Sequence, residues 1–193
     1  MSPSVWIILF SGVFAAWPSQ ALANEIYKFD PAHSTIAFNV RHFFGAAKGR
    51  FTKFNGTIDV DLEHPEKSSV SAAIQTASLD TSNAKRDEHL RGPDFFNVSK
   101  FPEIIFKSRS VKQTGSKTGD ITGSLTMHGV TREIVLHAQL IANSATSKTN
   151  WRVTTAPIKR SEFDLRWSKS VEAVSMIGDE VAATIEITAE RAP

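Results

Sequence analysis

The sequence predicts an all-β protein: a single antiparallel up-and-down β-barrel of about eight strands, with one short helix between strands. Three observations predict it. Apolar and polar residues alternate with period two in segment after segment, turn residues fall between those segments, and only one stretch has helical character.

In chain order, residues 1–23 carry no charged side chain, and an apolar stretch opens at Val5-Trp6-Ile7-Ile8-Leu9-Phe10 and runs to Ala16. Pro18 breaks it, and Ala21-Leu22-Ala23 places small residues where a signal peptidase reads. The expectation is a cleavable secretory signal over 1–23 and one mature domain over 24–193. The n-region lacks the usual Lys or Arg. The run is shorter than the ~20 apolar residues a membrane span needs, so no stable anchor is expected after cleavage.

Beyond the signal, Ile36, Phe38 and Val40 alternate with Thr35, Ala37, Asn39 and Arg41. Ile58, Val60 and Leu62 repeat the pattern, as do Val70, Ala72 and Ile74, then Ile121, Gly123, Leu125 and Met127, and last Val181, Ala183, Ile185 and Ile187. Strict alternation of this kind marks strands with one buried face. Asn55-Gly56, His64-Pro65-Glu66, Gly115 to Gly119 and His128-Gly129 are expected to reverse the chain. Roughly eight strands in a meander remove their edges by closing into a barrel.

The helical stretch is Ala84 to Arg91, with Asn83 as its cap and Gly92-Pro93 as its stop. Asp87 with Arg91, and Lys85 with Glu88, have the spacing of surface pairs. Leu90 is expected to face inward. This helix and the loop through Phe95-Phe96 either cover a binding site or plug one mouth of the barrel. His42-Phe43-Phe44-Gly45 is a second turn, too apolar to be exposed unless it covers something.

Composition narrows the function. Lys+Arg number 22 against 20 Asp+Glu, interleaved and without a basic run, so a nucleic-acid partner is not expected. There is no Cys, which removes disulfides and thiolate chemistry. The six His form no HExxH or HxH pattern; His33 and His42 are a pair that could approach each other across the start of the barrel. No nucleophile elbow, phosphate loop or dinucleotide fingerprint is present. Gly115-Ser116-Lys117-Thr118-Gly119 has the letters of a phosphate loop without its spacing. The densest ionisable cluster, Arg86-Asp87-Glu88-His89, fits surface ion pairing or contact with a head group.

Thirteen Phe against one Tyr favour an interior without polar handles. Phe38, Phe51, Phe54, Ile58, Ile74, Phe106, Leu125 and Met127 are its candidates. Eight strands enclose either a packed core or room for one small ligand, as in lipocalins. Ala72 and Gly123 on the same rows are expected to leave apolar gaps beside the rings.

Phe29-Asp30-Pro31-Ala32-His33-Ser34, followed by Ile36, Phe38, Val40 and His42, resembles the opening of the YceI-like family. So do Gly49-Arg50-Phe51 with Phe54-Asn55-Gly56, and Arg86-Asp87-Glu88-His89-Leu90 with Phe95-Phe96. Residues 101–108 (Phe-Pro-Glu-Ile-Ile-Phe-Lys-Ser) and 123–131 (Gly-Ser-Leu-Thr-Met-His-Gly-Val-Thr) continue the series. The departures are Phe163-Asp164, where the family usually reads Phe-Gly, and Asn97 after Phe95-Phe96, where Asp is common. The resemblance implies a lipocalin-like barrel in the periplasm, holding a polyisoprenoid such as a quinone tail, or a fatty amphiphile, without enzymatic activity.

The expected ligand contacts are Phe38, Val40, Phe43, Phe51, Phe54, Ile58, Ile74, Leu90, Phe95, Phe96, Phe106, Leu125 and Met127. His42, Arg86 and His89 are candidate head-group contacts. No catalytic residue, metal site or cofactor is expected. An enzyme acting on an isoprenoid lipid, and a stress-related structural protein with an incidental cavity, are the competing readings. The oligomeric state stays open, a homodimer being one option.

Overall fold

Local chemistry breaks the first long stretch of extended chain in two. The Asp30 carboxylate accepts from the Ala32 amide at 3.0 Å and meets His33 Nδ1 at 2.6 Å, while Pro31 has no N–H to give a ladder. The chain therefore bends between β1 (Glu25–Phe29) and β2 (Thr35–His42). The computed structural model describes residues 24–42, 45–143, 147–166 and 177–192, with only the backbone of His42 and Asn143.

The same interruption recurs on the next two strands. β3 (Gly45–Phe51) and β4 (Phe54–Val60) are separated by Thr52-Lys53, and β5 (Ser69–Gln75) and β6 (Leu79–Asp80) by one helical turn. The two breaks face each other, with the Thr52 amide donating to Ser78 O and the Gln75 amide to Lys53 O. Then follow the helix α1 (Ala84–Arg91) and the strands β7 (Glu103–Gln113), β8 (Thr118–Met127), β9 (Val130–Asn143), β10 (Lys148–Thr155), β11 (Ile158–Lys159) and β12 (Ile177–Arg191).

Pairing runs β1-β4-β5-β7-β8-β9-β10-β12, and β12 returns to β1. The result is a closed antiparallel barrel of eight strands with one short helix, so the predicted meander is borne out. β2, β3 and β6 lengthen three of its staves at one end. There β12 pairs through Ala183↔Phe38 and β2 through Phe38↔Gly49. This helix end also holds α1, the last residue of β2 and the first of β3, the β8–β9 turn and the helical turn Arg160–Phe163 after β11. The opposite end holds the loop 61–68, the turn 114–117 and the first and last described residues, 24 and 192.

Turn chemistry sorts the expected reversals. Met127 pairs with Val130 across a two-residue loop in which both His128 and Gly129 have positive φ (52° and 77°), the conformation that suits the twist of a hairpin. Asn55-Gly56 does not reverse the chain, because it lies inside β4. Its glycine is needed for space: a Cβ at Gly56 would stand 2.4 Å from the Phe29 ring. Leu62 lies past the end of β4 and is exposed. His33 and His42 cap opposite ends of β2, about 30 Å apart at the usual strand rise, so they form no joint site.

The helix has the expected bounds and cap, with Asn83 Oδ1 accepting from the Arg86 amide at 3.1 Å. Its ion pairs are not the expected ones. Asp87 is buried and accepts from the Thr81 amide at 3.0 Å and hydroxyl at 2.5 Å. Arg91 instead donates to the carbonyls of Ala77 and Leu79. Lys85 and Glu88 form no ion pair among the described residues. The polar side chains of α1 thus fasten it to the end of β6, which takes precedence over pairing along its own surface.

Candidate functional site

The inward rows of the strands do not meet at the barrel axis. They enclose a cavity of about 740 Å³, within the roughly 300–1,000 Å³ common for small-molecule sites. Of the residues expected to contact a ligand, Phe38, Val40, Phe51, Ile58, Ile74, Leu90, Phe95, Phe96, Phe106, Leu125 and Met127 all lie on its wall. Phe54 does not: it is buried in the core beside the cavity, paired across to Ile74. Phe43 and the side chain of His42 lie outside the described residues.

The gap expected at Gly123 is filled. A Cβ there would stand 2.5 Å from Phe106 Cζ, so the glycine accommodates that ring and adds no volume. The space comes from closing eight strands around side chains too short to span them. Sequence reasoning missed the third quarter of the wall, formed by Ile134, Leu136, Ala138 and Leu140 on β9 and by Trp151 and Val153 on β10. The β9 row was readable, but Val135 and Ile141 on its outer face are also apolar and exposed, and they blur the alternation.

At the helix end the wall is aromatic. The Phe38 and Phe51 centroids are 5.6 Å apart, Phe51 and Phe96 6.3 Å, and Phe95 and Phe96 5.2 Å. A chain of rings thus connects β2 through β3 to the loop after α1. That loop is held by the Phe96 amide donating to Leu90 O at 3.0 Å and the Asn97 amide to Gly92 O at 2.8 Å.

The charged residues on the wall are Arg86, Arg160 and Lys117; no Asp, Glu or His of the described residues lies on it. Arg86 stands at the rim and donates through Nε to Thr81 Oγ1 (2.7 Å) and through Nη2 to Thr81 O (2.8 Å). Because the Thr81 hydroxyl donates onward to Asp87, the buried carboxylate holds the acceptor that orients the guanidinium. Arg160 is buried and donates to the carbonyls of Leu165, Ile177 and Gly178. Beside it, burial pushes the Asp179 carboxyl up, but the Ser161 hydroxyl (2.6 Å) and amide (3.0 Å), with the charges of Arg160 and Arg166, outweigh it and hold the group below its ordinary value. His89 is exposed and does not line the cavity.

Among the described residues, no three His, Asp or Glu converge as a metal site. His137 faces Asp120 at 2.7 Å on the surface, and His128 meets Phe163 O at 3.2 Å beneath the Phe101 ring. These partners give both histidines structural roles.

Fold and cavity together define a class: a closed antiparallel barrel with an apolar interior sized for one ligand. The chain belongs to the YceI-like domain family, whose model matches residues 27–189. A UPF0312 protein of Ectopseudomonas mendocina is 39% identical over 152 residues, 76% of this chain and 79% of the relative. Another, from Pectobacterium atrosepticum, is 40% identical over 151 residues, 75% of this chain and 78% of the relative. The YCEI protein of Campylobacter jejuni superposes with a TM-score of 0.65 at 31% identity, covering 76% of this chain and 86% of that one. BcnA of Burkholderia cenocepacia shares the fold with a TM-score of 0.76 at 22% identity, over 83% and 98% of the two chains. A polyisoprenoid-binding domain from Saccharophagus degradans shares it with a TM-score of 0.63 at 17% identity, over 86% and 98%.

The two departures from the usual family pattern fall where the backbone is left-handed: φ is 56° at Asp164 and 45° at Asn97. Asn and Asp are the residues other than glycine that visit this region most readily. Asp164 therefore keeps the turn that a glycine would make.

Proposed function

We propose that this protein is a carrier or sequestering protein for a long-chain isoprenoid lipid, quinone-like or a similar amphiphile, held inside the barrel without chemical change. The observation that carries the reading is the cavity: about 740 Å³, walled by apolar rows from every stave, with no Asp, Glu or His of the described residues on it. An apolar chain entering such a space releases apolar surface from water on both partners. Among the described residues no carboxylate or imidazole stands on the wall to serve as a general acid or base. The fold shared with a polyisoprenoid-binding domain supports the same reading. In this proposal Phe38, Phe51, Phe106, Leu125 and Met127 contact the tail, and residues 1–23 direct the chain to the periplasm.

Mass spectrometry of organic extracts from the purified protein tests it. A stoichiometric long-chain lipid is the expected result. A chemically altered product formed from an added lipid would support an enzyme instead, and an empty extract that stays empty after incubation with prenyl lipids would refute the carrier. N-terminal sequencing of the exported protein is expected to read Asn-Glu-Ile-Tyr from Asn24. An intact Met1 on membrane-bound material would overturn the address.

A further inference from the structure

Among the described residues, the charges that face the cavity are all of one sign. Arg86, Arg160 and Lys117 lie on the wall, and no described carboxylate does. A neutral lipid gains nothing from that arrangement. We propose that the ligand is an amphiphile with an anionic oxygen head, a carboxylate or phosphate, and that Arg86 is the residue that receives it. The proposal rests on the carrier reading and narrows its ligand class.

Three observations choose Arg86 among the cations. Arg160 is buried, and its guanidinium holds the carbonyls of Leu165, Ile177 and Gly178, so it serves the ends of the segment that joins β11 to β12. Lys117 sits on the exposed 114–117 turn at the opposite end, on a flexible stem whose ammonium makes no hydrogen bond or ion pair among the described residues. Arg86 alone is both exposed at the rim and held in one orientation. Thr81 takes Nε and one Nη2 hydrogen, and buried Asp87 fixes Thr81 in turn. No carboxylate among the described residues forms an ion pair with Arg86. The rest of its planar fork is available to an oxygen pair, the geometry in which guanidinium surpasses ammonium. The neighbouring wall is Leu90, Phe95 and Phe96, so a head at Arg86 leaves the tail against phenyl rings.

Competition binding of a fluorescent polyene fatty acid against its methyl ester of the same chain length, at pH 8 and low salt, tests the assignment. The full mature chain is expected to bind the acid tighter than the ester by on the order of tenfold, the worth of one charge-assisted hydrogen bond. Raising the salt is expected to shrink that ratio, because the guanidinium is at the rim. In Arg86→Met the ratio is expected to fall toward one while ester affinity persists, and Arg86→Lys is expected to restore part of it. Equal affinity for acid and ester in the unmodified protein overturns the proposal, and so does a ratio untouched by Arg86→Met. Loss of the preference in Lys117→Met and not in Arg86→Met would put the head at the opposite end and overturn the assignment. If neither probe binds, this inference falls, while the carrier reading is decided separately by the incubation with prenyl lipids. The salt titration on unmodified protein decides the head charge even where a variant fails to fold.

Discussion

Gly49 and Phe38 face each other directly across the β2–β3 ladder, and their fit gives a test of whether this row points into the barrel. A Cβ on Gly49 would stand 2.3 Å from Phe38 Cζ and 2.9 Å from both Cε atoms. Carbon atoms rest at roughly 3.5–4.0 Å, so the ring or the strand must move. Overpacking of this kind costs about 1–3 kcal/mol. Relieving a strand of its glycine returns about 0.5–1 kcal/mol. Gly49→Ala is therefore expected to destabilise the barrel by roughly 0.5–2 kcal/mol, which for a chain of this size lowers Tm by about 2–4 °C per kcal/mol. With Phe38→Leu as background the obstruction is gone, and Gly49→Ala is expected to be neutral or slightly stabilising. Thermal melts of the four proteins, followed by circular dichroism, give the coupling, expected at about 1–3 kcal/mol. An identical effect of Gly49→Ala in both backgrounds would show that the ring does not stand over the glycine, and the inward assignment of this row would be refuted.

Other expectations follow from the same geometry. Phe106→Asp buries a carboxylate between its apolar cross-strand neighbours Ala72 and Leu125, at a cost of several kcal/mol, roughly; it is expected to unfold the barrel or abolish lipid co-purification, and a folded variant with full lipid would place this row outside. Leu90→Ala with Phe96→Ala is expected to lower stability by roughly 3–5 kcal/mol for the phenyl alone and to reduce lipid occupancy where the protein stays folded; undiminished occupancy there would make the segment a plug remote from the ligand. Asp179 has a folded pKa below its unfolded one, so its contribution is complete above the ordinary carboxylate range and is lost as pH falls through the depressed value. Asp179→Asn should thus be less stable at neutral pH and show a shallower acid transition, and matching acid slopes would refute the role of the Ser161 contacts.

The fold was legible because a half-buried strand writes its geometry as a period of two, which Ile36-Phe38-Val40 and Val181 to Ile187 keep without fault. The helix was legible for a local reason too: Asn83 and Gly92 bound it with chemistry that acts within a few residues. What stayed hidden depends on partners distant in sequence. Nothing near Asn55-Gly56 announces that the Phe29 ring needs the glycine's space. Asp87 and Arg91 have ideal spacing for each other, yet Thr81, Ala77 and Leu79 take them. The same holds for the site. Its apolar residues follow from the rows, while the single sign of its charge appears only after the staves are closed and the described carboxylates are seen to face elsewhere.

The size of the cavity decides how this barrel must be held together. If each cubic ångström were charged at the rate for holes cut into packed cores, 740 Å³ would cost about 18 kcal/mol. That exceeds the roughly 5–15 kcal/mol by which a domain is stable at all. The wall therefore cannot behave as a core with its centre removed. Its side chains are held from behind, by ladders to both neighbouring strands around a ring with no free edge. The largest fully buried side chains, Phe163, Leu79 and Thr76, all lie at the helix end, where α1 is fastened to β6 and Arg160 gathers its three carbonyls. The molecule thus divides the work: one end is packed and hydrogen-bonded, and the ladders keep the middle open.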